Sequence, residues 1–390
     1  MTNKQIISNL ICLLLITGTL ACVDASNSVN ANININIPST DDFPAVVPDE
    51  VGLNDHRLAI LSQMIEAGSF GDIQSLLIVR YGNMAVENYY QGYNRHLLHF
   101  TGSVTKSVTS LLIGIAIDQG FLDGIEQGML DKTVLELFRE YQTVINADPM
   151  KQSLVFRHLL TMSSGLQWDE TTHPIEDPRN DYYQAYHSED STRYILEKLV
   201  SQDPGSVFHD NGGLSMLLSR IIFDNTDLHA DEFAEEYLFK PLGITTFVWD
   251  QLDDGLADTG GGLDLRPYDL AKIGCLYVND GKWKNQQIVS KTWIEESTRA
   301  WIEAQYINDF DITAHYGFQW WLLPIQGLPG ITPQDNDIYM ARGQYGQFIF
   351  AIPSLEMVVV ITSDNEETEE FLMGIYTVLY DHILQAVETY

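Results

Sequence analysis

Ser103 and Lys106 are the two residues whose types and spacing could carry chemistry in this chain. They stand three positions apart in the segment FTGSVTKSVTSLLIGIAIDQG, where apolar residues recur at the helical period. Residues three apart lie on the same face of a helix, so the hydroxyl and the amine would be neighbours. A lysine held among apolar neighbours has a lowered pKa, and it can then take the proton of a serine that attacks a carbonyl.

The helix that must position this pair is predicted to begin near Ser103 and to end at Gly120, a residue suited to the left-handed end of a helix. Free N–H groups and the dipole at its first turn would favour negative charge on the hydroxyl oxygen. We expect one small, polar face of this helix to be free for chemistry: Ser103, Lys106, Ser107, Ser110 and Gly114. An ordinary core helix that begins with a serine and carries one lysine fits the same letters, and this alternative stays open.

Strand signals lie at both ends of the chain and helical signals lie between them. A hairpin is predicted where two β-prone runs flank Tyr81-Gly82-Asn83, and three more strand signals are YGFQWWLLP, IYMARGQYGQFIFAIP and MVVVITS. Most segments from 103 to 302 have helical periodicity, including Lys291 to Ile302. We therefore predict an α/β fold of the α+β type, with about five antiparallel strands flanked by helices and an inserted helical region.

Composition and charge exclude several classes of protein. The 390 residues are 45% hydrophobic, which is typical of a globular chain. The formal net charge of −33 opposes binding to phosphate backbones, so we expect no nucleic-acid partner. The ten histidines include no H-E-x-x-H motif and no cysteine cluster accompanies them, so we expect neither a metal nor another cofactor.

The first 44 residues have the composition of an export signal and a tether. Residues 1–22 carry Lys4 and then an apolar core shorter than the run of about 18 residues that spans a bilayer, as in a signal peptide. Cys22 follows a small residue and is a candidate for lipidation, which would attach the protein to a membrane; plain cleavage nearby is the alternative. Residues 23–44 are predicted to be a flexible linker and residues 45–390 the folded domain. The protein would be periplasmic or lipid-anchored.

A long polar segment runs from Trp168 to Ser191 and contains several aromatic residues. Segments of this length are often binding loops or lids, and the aromatic residues could line a cleft: Trp168, Tyr182, Tyr183 and Tyr186. A surface excursion without a binding role fits the same composition.

Several stretches, taken in order, resemble the serine β-lactamase-like and penicillin-binding protein superfamily from about Ile73 to the end of the chain. They include RHLLTMSSGLQWDE, PGSVFHDNGGLSMLLSRII, LRPYDLAKIGCLYVNDGKW and ARGQYGQFIFAIPSLEMVVVITS. The branch that contains 6-aminohexanoate-dimer hydrolase and related esterases is the most similar. The resemblance implies a β-lactamase/transpeptidase-like fold and hydrolysis of a small ester, amide or peptide through an acyl-enzyme.

The resemblance also implies roles for individual residues. Ser103 would be the acylated nucleophile and Lys106 its proton acceptor. The glycine-containing third motif falls on Ala341-Arg342-Gly343, where Gly343 lets the backbone approach the substrate and Arg342 supplies a cation. The backbone N–H groups of Ser103 and Gln344 would form the oxyanion hole.

The second motif departs from the pattern of the family. Relatives carry a tyrosine as general base, and here Asp210 stands at that position. A carboxylate near Lys106 would also hold the lysine protonated. Either Asp210 and Lys106 share the proton transfers, or His209 turns inward, or the protein is a catalytically silent binding protein with the same fold. Asn211 is a candidate for hydrogen bonding to the substrate.

A third hypothesis places an esterase nucleophile at Ser215 in an α/β-hydrolase fold. The letters GLSML lack the last glycine of G-x-S-x-G and precede a helix without a strand, which argues against it. The sequence therefore favours an exported serine hydrolase without a cofactor, and it does not indicate an oligomeric state.

Overall fold

The computed structural model of the chain describes residues 42–326, 337–366 and 368–388. The predicted signal peptide, Cys22 and the linker up to residue 41 lie outside the described residues and stay predictions. No helix within the described ranges combines the length and the apolar character needed to cross a membrane.

The strands lie mainly at the two ends of the folded domain. In chain order they are β1 Ile73–Arg80, β2 Asn83–Tyr89, β3 His99–Phe100, β4 Val248–Trp249, β5 Leu263–Leu265, β6 Lys282–Trp283, β7 Gln286–Gln287, β8 Ile302–Ile307, β9 Ile312–Tyr316, β10 Trp321–Leu323, β11 Ile338–Gly343, β12 Gln347–Ile352 and β13 Met357–Ser363. The main sheet has the order β2-β1-β13-β12-β11-β10-β9-β8, and neighbouring strands are antiparallel. Because β1 pairs with β13, the two ends of the chain close one sheet, as predicted.

The number of strands was predicted wrongly. About five strands were expected, and the part of the sheet that the structure describes has eight. The stretch IYMARGQYGQFIFAIP turns after Gly343 and forms both β11 and β12. The helix expected to run to Ile302 ends at Ser297, and β8 begins at Ile302. The sequence signal of β8 is weak because this edge strand is mostly exposed and carries a bulge, which breaks the apolar–polar alternation.

The predicted hairpin is confirmed at β1 and β2. Tyr81 and Gly82 take φ angles of 51° and 74°, the left-handed values that a tight two-residue hairpin turn requires. The turn sets the register that buries β1 along its whole length. This buried strand lies inside the sheet between β2 and β13.

Helices pack on the sheet and fill the middle of the chain. In chain order they are α1 Asp55–Glu66, α2 Val104–Asp118, α3 Val134–Leu137, α4 Gln142–Asn146, α5 Phe156–Leu160, α6 Asp181–Tyr186, α7 Ser191–Glu197, α8 Gly212–Thr226, α9 Ala230–Ala234, α10 Lys240–Leu242, α11 Pro267–Val278, α12 Lys291–Ser297 and α13 Glu369–Thr377. Helix α11 packs on β1, β12 and β13. It comes so close that a Cβ at Gly274 would lie 2.5 Å from Cγ1 of Val358. Helix α2 packs between α8 and β11.

The polar face of α2 is not free, in contrast to the prediction from the sequence. Residues Val104 to Ala116 are all buried. Ser107 donates a hydrogen bond from Oγ to the carbonyl of Gln319 at 2.6 Å, and a Cβ at Gly114 would lie 2.4 Å from the ring of Trp293. Small residues here allow close packing against neighbouring elements, so only the beginning of α2 is left for chemistry.

Candidate active site

Ser103 occupies the N-terminal cap position of α2, where its side chain makes no capping hydrogen bond. The first turn carries no acidic residue. The positive end of the helix dipole is therefore not neutralised within that turn. Lys106 follows one turn later and donates its backbone N–H to the carbonyl of Ser103 at 3.0 Å. The hydroxyl thus lies where a developing negative charge would be stabilised.

The end of β11 lies directly against the loop that carries Ser103. A Cβ at Gly343 would lie 2.0 Å from the carbonyl oxygen of Thr101, and a Cβ at Gly102 would lie 2.7 Å from the backbone nitrogen of Gln344. Only glycine fits at these two positions without displacing backbone. Among the described residues, neither the backbone N–H of Ser103 nor that of Gln344 has an acceptor. The two N–H groups of the expected oxyanion hole are therefore near each other and available.

A cleft of about 240 Å³ opens over this junction. Four further residues that the sequence singled out line it together with Ser103: Asp210, Arg342, Gly343 and Gln344. Two other lining residues, Gln305 and Trp321, were not predicted from the sequence. Gln305 belongs to the edge strand β8, which was not predicted. The guanidinium carbon of Arg342 lies over the ring of Trp321, 5.9 Å from the centre of that ring.

Lys106 and Asp210 form an ion pair in which Nζ lies 2.6 Å from Oδ1. The lysine side chain is 4% exposed and the aspartate side chain 45% exposed, and of the two only Asp210 lines the cleft. Burial lowers the pKa of Lys106, but attraction to Asp210 and Glu170 outweighs burial, and the net pKa is raised. This corrects the sequence expectation of a lowered pKa. The resting amine is an ammonium group.

Glu170 is a second carboxylate beside Lys106, and the sequence analysis did not identify it. Its Oε1 lies 4.0 Å from Nζ, and its Oε2 accepts hydrogen bonds from Trp168 Nε1 at 2.6 Å and from the backbone N–H of Gly212 at 2.9 Å. Burial raises the pKa of Glu170 and the charge of Asp210 raises it further, while Lys106 lowers it. Two carboxylates with pKa shifts of opposite sign thus share one buried amine.

Asp258 and Tyr182 complete the charged surroundings of Lys106. The hydroxyl of Tyr182 lies 2.6 and 2.8 Å from the two carboxylate oxygens of Asp258. Burial raises the pKa of Asp258 to about 6. The segment from Trp168 to Ser191 therefore reaches inward, through Glu170 to Lys106 and through Tyr182 to Asp258, which favours a role in the site over a surface excursion. Among the described residues, no cluster of histidine, cysteine and carboxylate side chains has the geometry to hold a metal ion.

Trp168 and Asn211 lie beside the cleft and do not line it. Trp168 borders a neighbouring cavity of about 550 Å³, and its indole N–H holds Glu170. Asn211 is 1% exposed, and its Oδ1 caps α8 by accepting from the backbone N–H of Leu214 at 3.3 Å. In this arrangement Trp168 holds a carboxylate and Asn211 holds the helix that follows Asp210.

The structure places the two alternative site residues away from the cleft. His209 lines the neighbouring cavity and does not turn toward Ser103. Ser215 is fully buried in α8, where its Oγ donates to Oε1 of Gln319 at 2.7 Å. The main sheet is antiparallel, whereas an α/β-hydrolase needs a largely parallel sheet, so the hypothesis of an esterase centred on Ser215 is wrong.

Comparisons with known proteins agree with this fold. The beta-lactamase family model matches residues 73–379. The 6-aminohexanoate-dimer hydrolase of Paenarthrobacter ureafaciens is 22% identical over 333 residues, which cover 83% of this chain and 79% of that protein. A provisionally named 6-aminohexanoate-dimer hydrolase from Bacillus anthracis has a TM-score of 0.68 at 20% identity, covering 88% of this chain and 87% of the other.

A third similar protein is EstCE1, a hydrolase with promiscuous acyltransferase activity. It has a TM-score of 0.63 at 16% identity, covering 88% of this chain and 99% of its own. Identities this low show a shared fold, and the family model covers most of the folded domain. The chain therefore belongs to the beta-lactamase family, as its motifs predicted.

Proposed function

We propose that this protein is a serine hydrolase that cleaves an ester, amide or peptide bond of a small molecule through an acyl-enzyme on Ser103. One observation carries the proposal. The cleft brings together Ser103 at the beginning of a buried helix and the glycine-bearing end of β11, whose next N–H, that of Gln344, is available to a substrate oxygen.

The cycle follows from this geometry. Ser103 Oγ attacks the substrate carbonyl, its proton passes to the Lys106–Asp210 pair, and the N–H groups of Ser103 and Gln344 stabilise the oxyanion. The leaving group takes a proton from the pair as its bond to the acyl carbon breaks. Water then gives a proton to the same pair and attacks the acyl carbon. As the bond from that carbon to Ser103 Oγ breaks, the pair returns the proton to Oγ and the carboxylic acid is released.

The named relatives support the chemical class. One acts on an aminohexanoate dimer, and EstCE1 is named a hydrolase with acyltransferase activity. Both proteins are named hydrolases, and the second also transfers acyl groups. The acyl group that this chain accepts is best sought with a panel of p-nitrophenyl esters, D-Ala-D-Ala peptides, nitrocefin and linear amide oligomers, because one fold serves many substrates.

A catalytically silent binding protein is the second candidate. It is favoured by the 2.6 Å pair between Lys106 and Asp210, because an ammonium group has no lone pair with which to accept the proton of Ser103. In this alternative the cleft binds a ligand without cleaving it.

A fluorophosphonate probe separates the two candidates, since it reacts covalently with an activated serine. We expect the purified protein to be labelled and the Ser103→Ala variant to be unlabelled. Ser215→Ala is the matched control, because it removes a buried serine outside the cleft and should leave labelling intact. A wild-type protein that stays unlabelled from pH 5 to pH 10 would favour the silent binding protein.

Export and membrane attachment are a separate proposal that depends on the sequence alone. The apolar segment within residues 1–22 and the position of Cys22 favour a lipidated, exported protein. Expression in a bacterial host should place the protein in the membrane fraction, and Cys22→Ala should release it. Equal distribution of both proteins would exclude lipid attachment.

A further inference from the structure

The proposed function leaves one chemical difficulty at Lys106. The ammonium is held by Asp210, whose own pKa is lowered because attraction to Lys106 outweighs the effect of burial. A carboxylate with a lowered pKa is a poor acceptor for the proton of a serine. The amine would be the better base, but it must first lose a proton to another group.

Glu170 is placed to receive that proton. Its Oε2 is fixed by two donors, Trp168 Nε1 and the N–H of Gly212, whereas Oε1 is directed at Nζ of Lys106 from 4.0 Å. Movement of Nζ by about 1 Å would bring it within hydrogen-bond distance. The glutamate side chain is only 15% exposed, and the cleft of Ser103 does not include it. It can therefore exchange a proton with the amine without contacting the substrate.

We infer that Glu170 is the second proton site of Lys106, a positioning residue that frees the amine to act on Ser103. This inference depends on the proposed hydrolase function. The N–H bond of the ammonium breaks and an O–H bond forms on Glu170, which leaves a neutral amine and a neutral acid. The lone pair of the amine then takes the proton of Ser103 as Oγ bonds to the substrate carbon. Glu170 returns its proton after deacylation.

The other charged groups around this pair set the conditions for the transfer. Lys106 faces Asp210, Glu170 and Asp258, and Glu170 also faces the hydroxyl of Tyr182. Asp210 in turn is near Arg342, His209 and Tyr316. Burial and the charge of Asp210 favour an added proton on Glu170, whereas the nearby charge of Lys106 opposes it.

The pH dependence of labelling should reveal this role. In the wild type the ammonium can pass a proton to Glu170 once that carboxyl is ionised, so the rate should rise through the pKa of Glu170 and then level off below the raised pKa of Lys106. The acid limb comes from Glu170, whose pKa is raised above the usual value. Without an ionisable group at position 170, the amine becomes neutral only in alkaline solution. The rate should then increase steadily with pH.

The test measures fluorophosphonate labelling from pH 5 to pH 10 in the wild type and in Glu170→Gln, with folding checked by circular dichroism. Glutamine keeps an acceptor for Trp168 and Gly212 but exchanges no proton. We expect labelling at pH 7 to be at least 10-fold slower and the acid limb to move into the alkaline range. A profile that keeps the wild-type shape overturns the inference and assigns Glu170 a structural role.

Two further variants keep the test decisive. If Glu170→Gln does not fold, Glu170→Asp replaces it, and we expect an acid limb followed by a plateau, with several-fold slower labelling. A rate and profile equal to the wild type overturn the inference. Trp168→Phe removes only the indole donor and should keep the acid limb and the plateau. If the wild-type protein is not labelled at any pH, the proposed function itself is overturned. If the wild type is labelled and Glu170→Gln has the same pH profile, only the role of Glu170 is overturned.

Discussion

The hydroxyl of Tyr182 lies 2.6 Å from one carboxylate oxygen of Asp258 and 2.8 Å from the other. The same carboxylate accepts the backbone N–H groups of Gly260 and Gly261, at 3.0 and 3.2 Å. The ring of Tyr182 fits only because residue 212 is a glycine, since a Cβ there would lie 2.5 Å from the ring. This contact fixes α6 between the beginning of α8 and the glycines that precede β5.

Asp258 should make the free energy of unfolding depend on pH, and Asp258→Asn should remove this dependence. Its pKa is about 6 in the folded protein, well above the ordinary aspartate value of 3.8, because it is 3% exposed. The folded state thus holds a proton that the unfolded state has lost, and this contribution to stability is lost as pH rises from about 4 to about 6. Urea unfolding should show the stability of the wild type falling by on the order of 1–3 kcal/mol relative to Asp258→Asn across this range.

Tyr182→Phe is the companion variant for this experiment. The hydroxyl stabilises the ionised carboxylate, so its removal should raise the pKa of Asp258 further. The loss of stability would then extend above pH 6. A difference between wild type and Asp258→Asn that does not change with pH would show that Asp258 titrates as an ordinary aspartate.

The fold could be predicted from the sequence where a signal is local. The period of α2, the turn at Tyr81-Gly82 and the buried strand β13 each follow from neighbouring letters. The strand β8 could not be predicted, because an exposed edge strand has little apolar periodicity and its register depends on pairing with β9. Local sequence propensity determines α2, the turn and β13, whereas pairing with a neighbouring strand determines β8.

The site was predictable only in part, for a related reason. Ser103 and Lys106 are one helical turn apart, so their spacing alone predicts a shared face. Glu170 reaches Lys106 from a loop 64 positions further along the chain, and no short motif links the two. One sequence signal could have identified Glu170. It stands in the segment QWDE, two residues after Trp168, whose indole N–H donates to it.

Gly343→Ala should strongly reduce activity while leaving the overall fold intact. A Cβ at this position would lie 2.0 Å from the carbonyl oxygen of Thr101 and 3.1 Å from the nitrogen of Val104. Both are backbone atoms, so the end of β11 must move away from Ser103 and carry the N–H of Gln344 with it. We expect fluorophosphonate labelling to slow by about 100-fold or more, since one oxyanion donor contributes this much in other enzymes.

Gly374→Ala is the matched control, because the nearest atom to a Cβ in that helix is 3.9 Å away. It should label at the wild-type rate. Equal labelling of Gly343→Ala and Gly374→Ala would show that β11 does not form the oxyanion hole.

Ser215→Ala should weaken the fold without affecting labelling. The hydroxyl donates to Oε1 of Gln319, which is 1% exposed and would be left without this donor. An unsatisfied buried acceptor costs about 1–3 kcal/mol, which urea unfolding can measure. Ser201→Ala, which removes an exposed hydrogen bond to Gly165 at 3.3 Å, should change stability by less than about 0.5 kcal/mol. Equal effects of the two variants would contradict the structural role of Ser215.

Asp210→Asn should retain labelling and shift its pH dependence downward. Loss of this carboxylate removes the 2.6 Å partner of Lys106, so the pKa of the lysine falls. The charge of Asp210 also raises the pKa of Glu170, so that pKa falls as well. The acid limb of the profile should move to lower pH, with the maximal labelling rate within about 10-fold of the wild type, because the amine and not the carboxylate takes the proton of Ser103.

Asp210→Tyr places at this position the residue that relatives use as a general base. If the amine is the base, a phenol beside it should restore or raise labelling relative to Asp210→Asn, since it can pass the proton of Ser103 to Lys106 without fixing the ammonium as a carboxylate does. Complete loss of labelling in both variants at every pH would mean that Asp210 itself receives the proton. In that case Lys106, whose pKa is raised, would stay protonated throughout the reaction. It would act as a fixed positive charge that orients the aspartate.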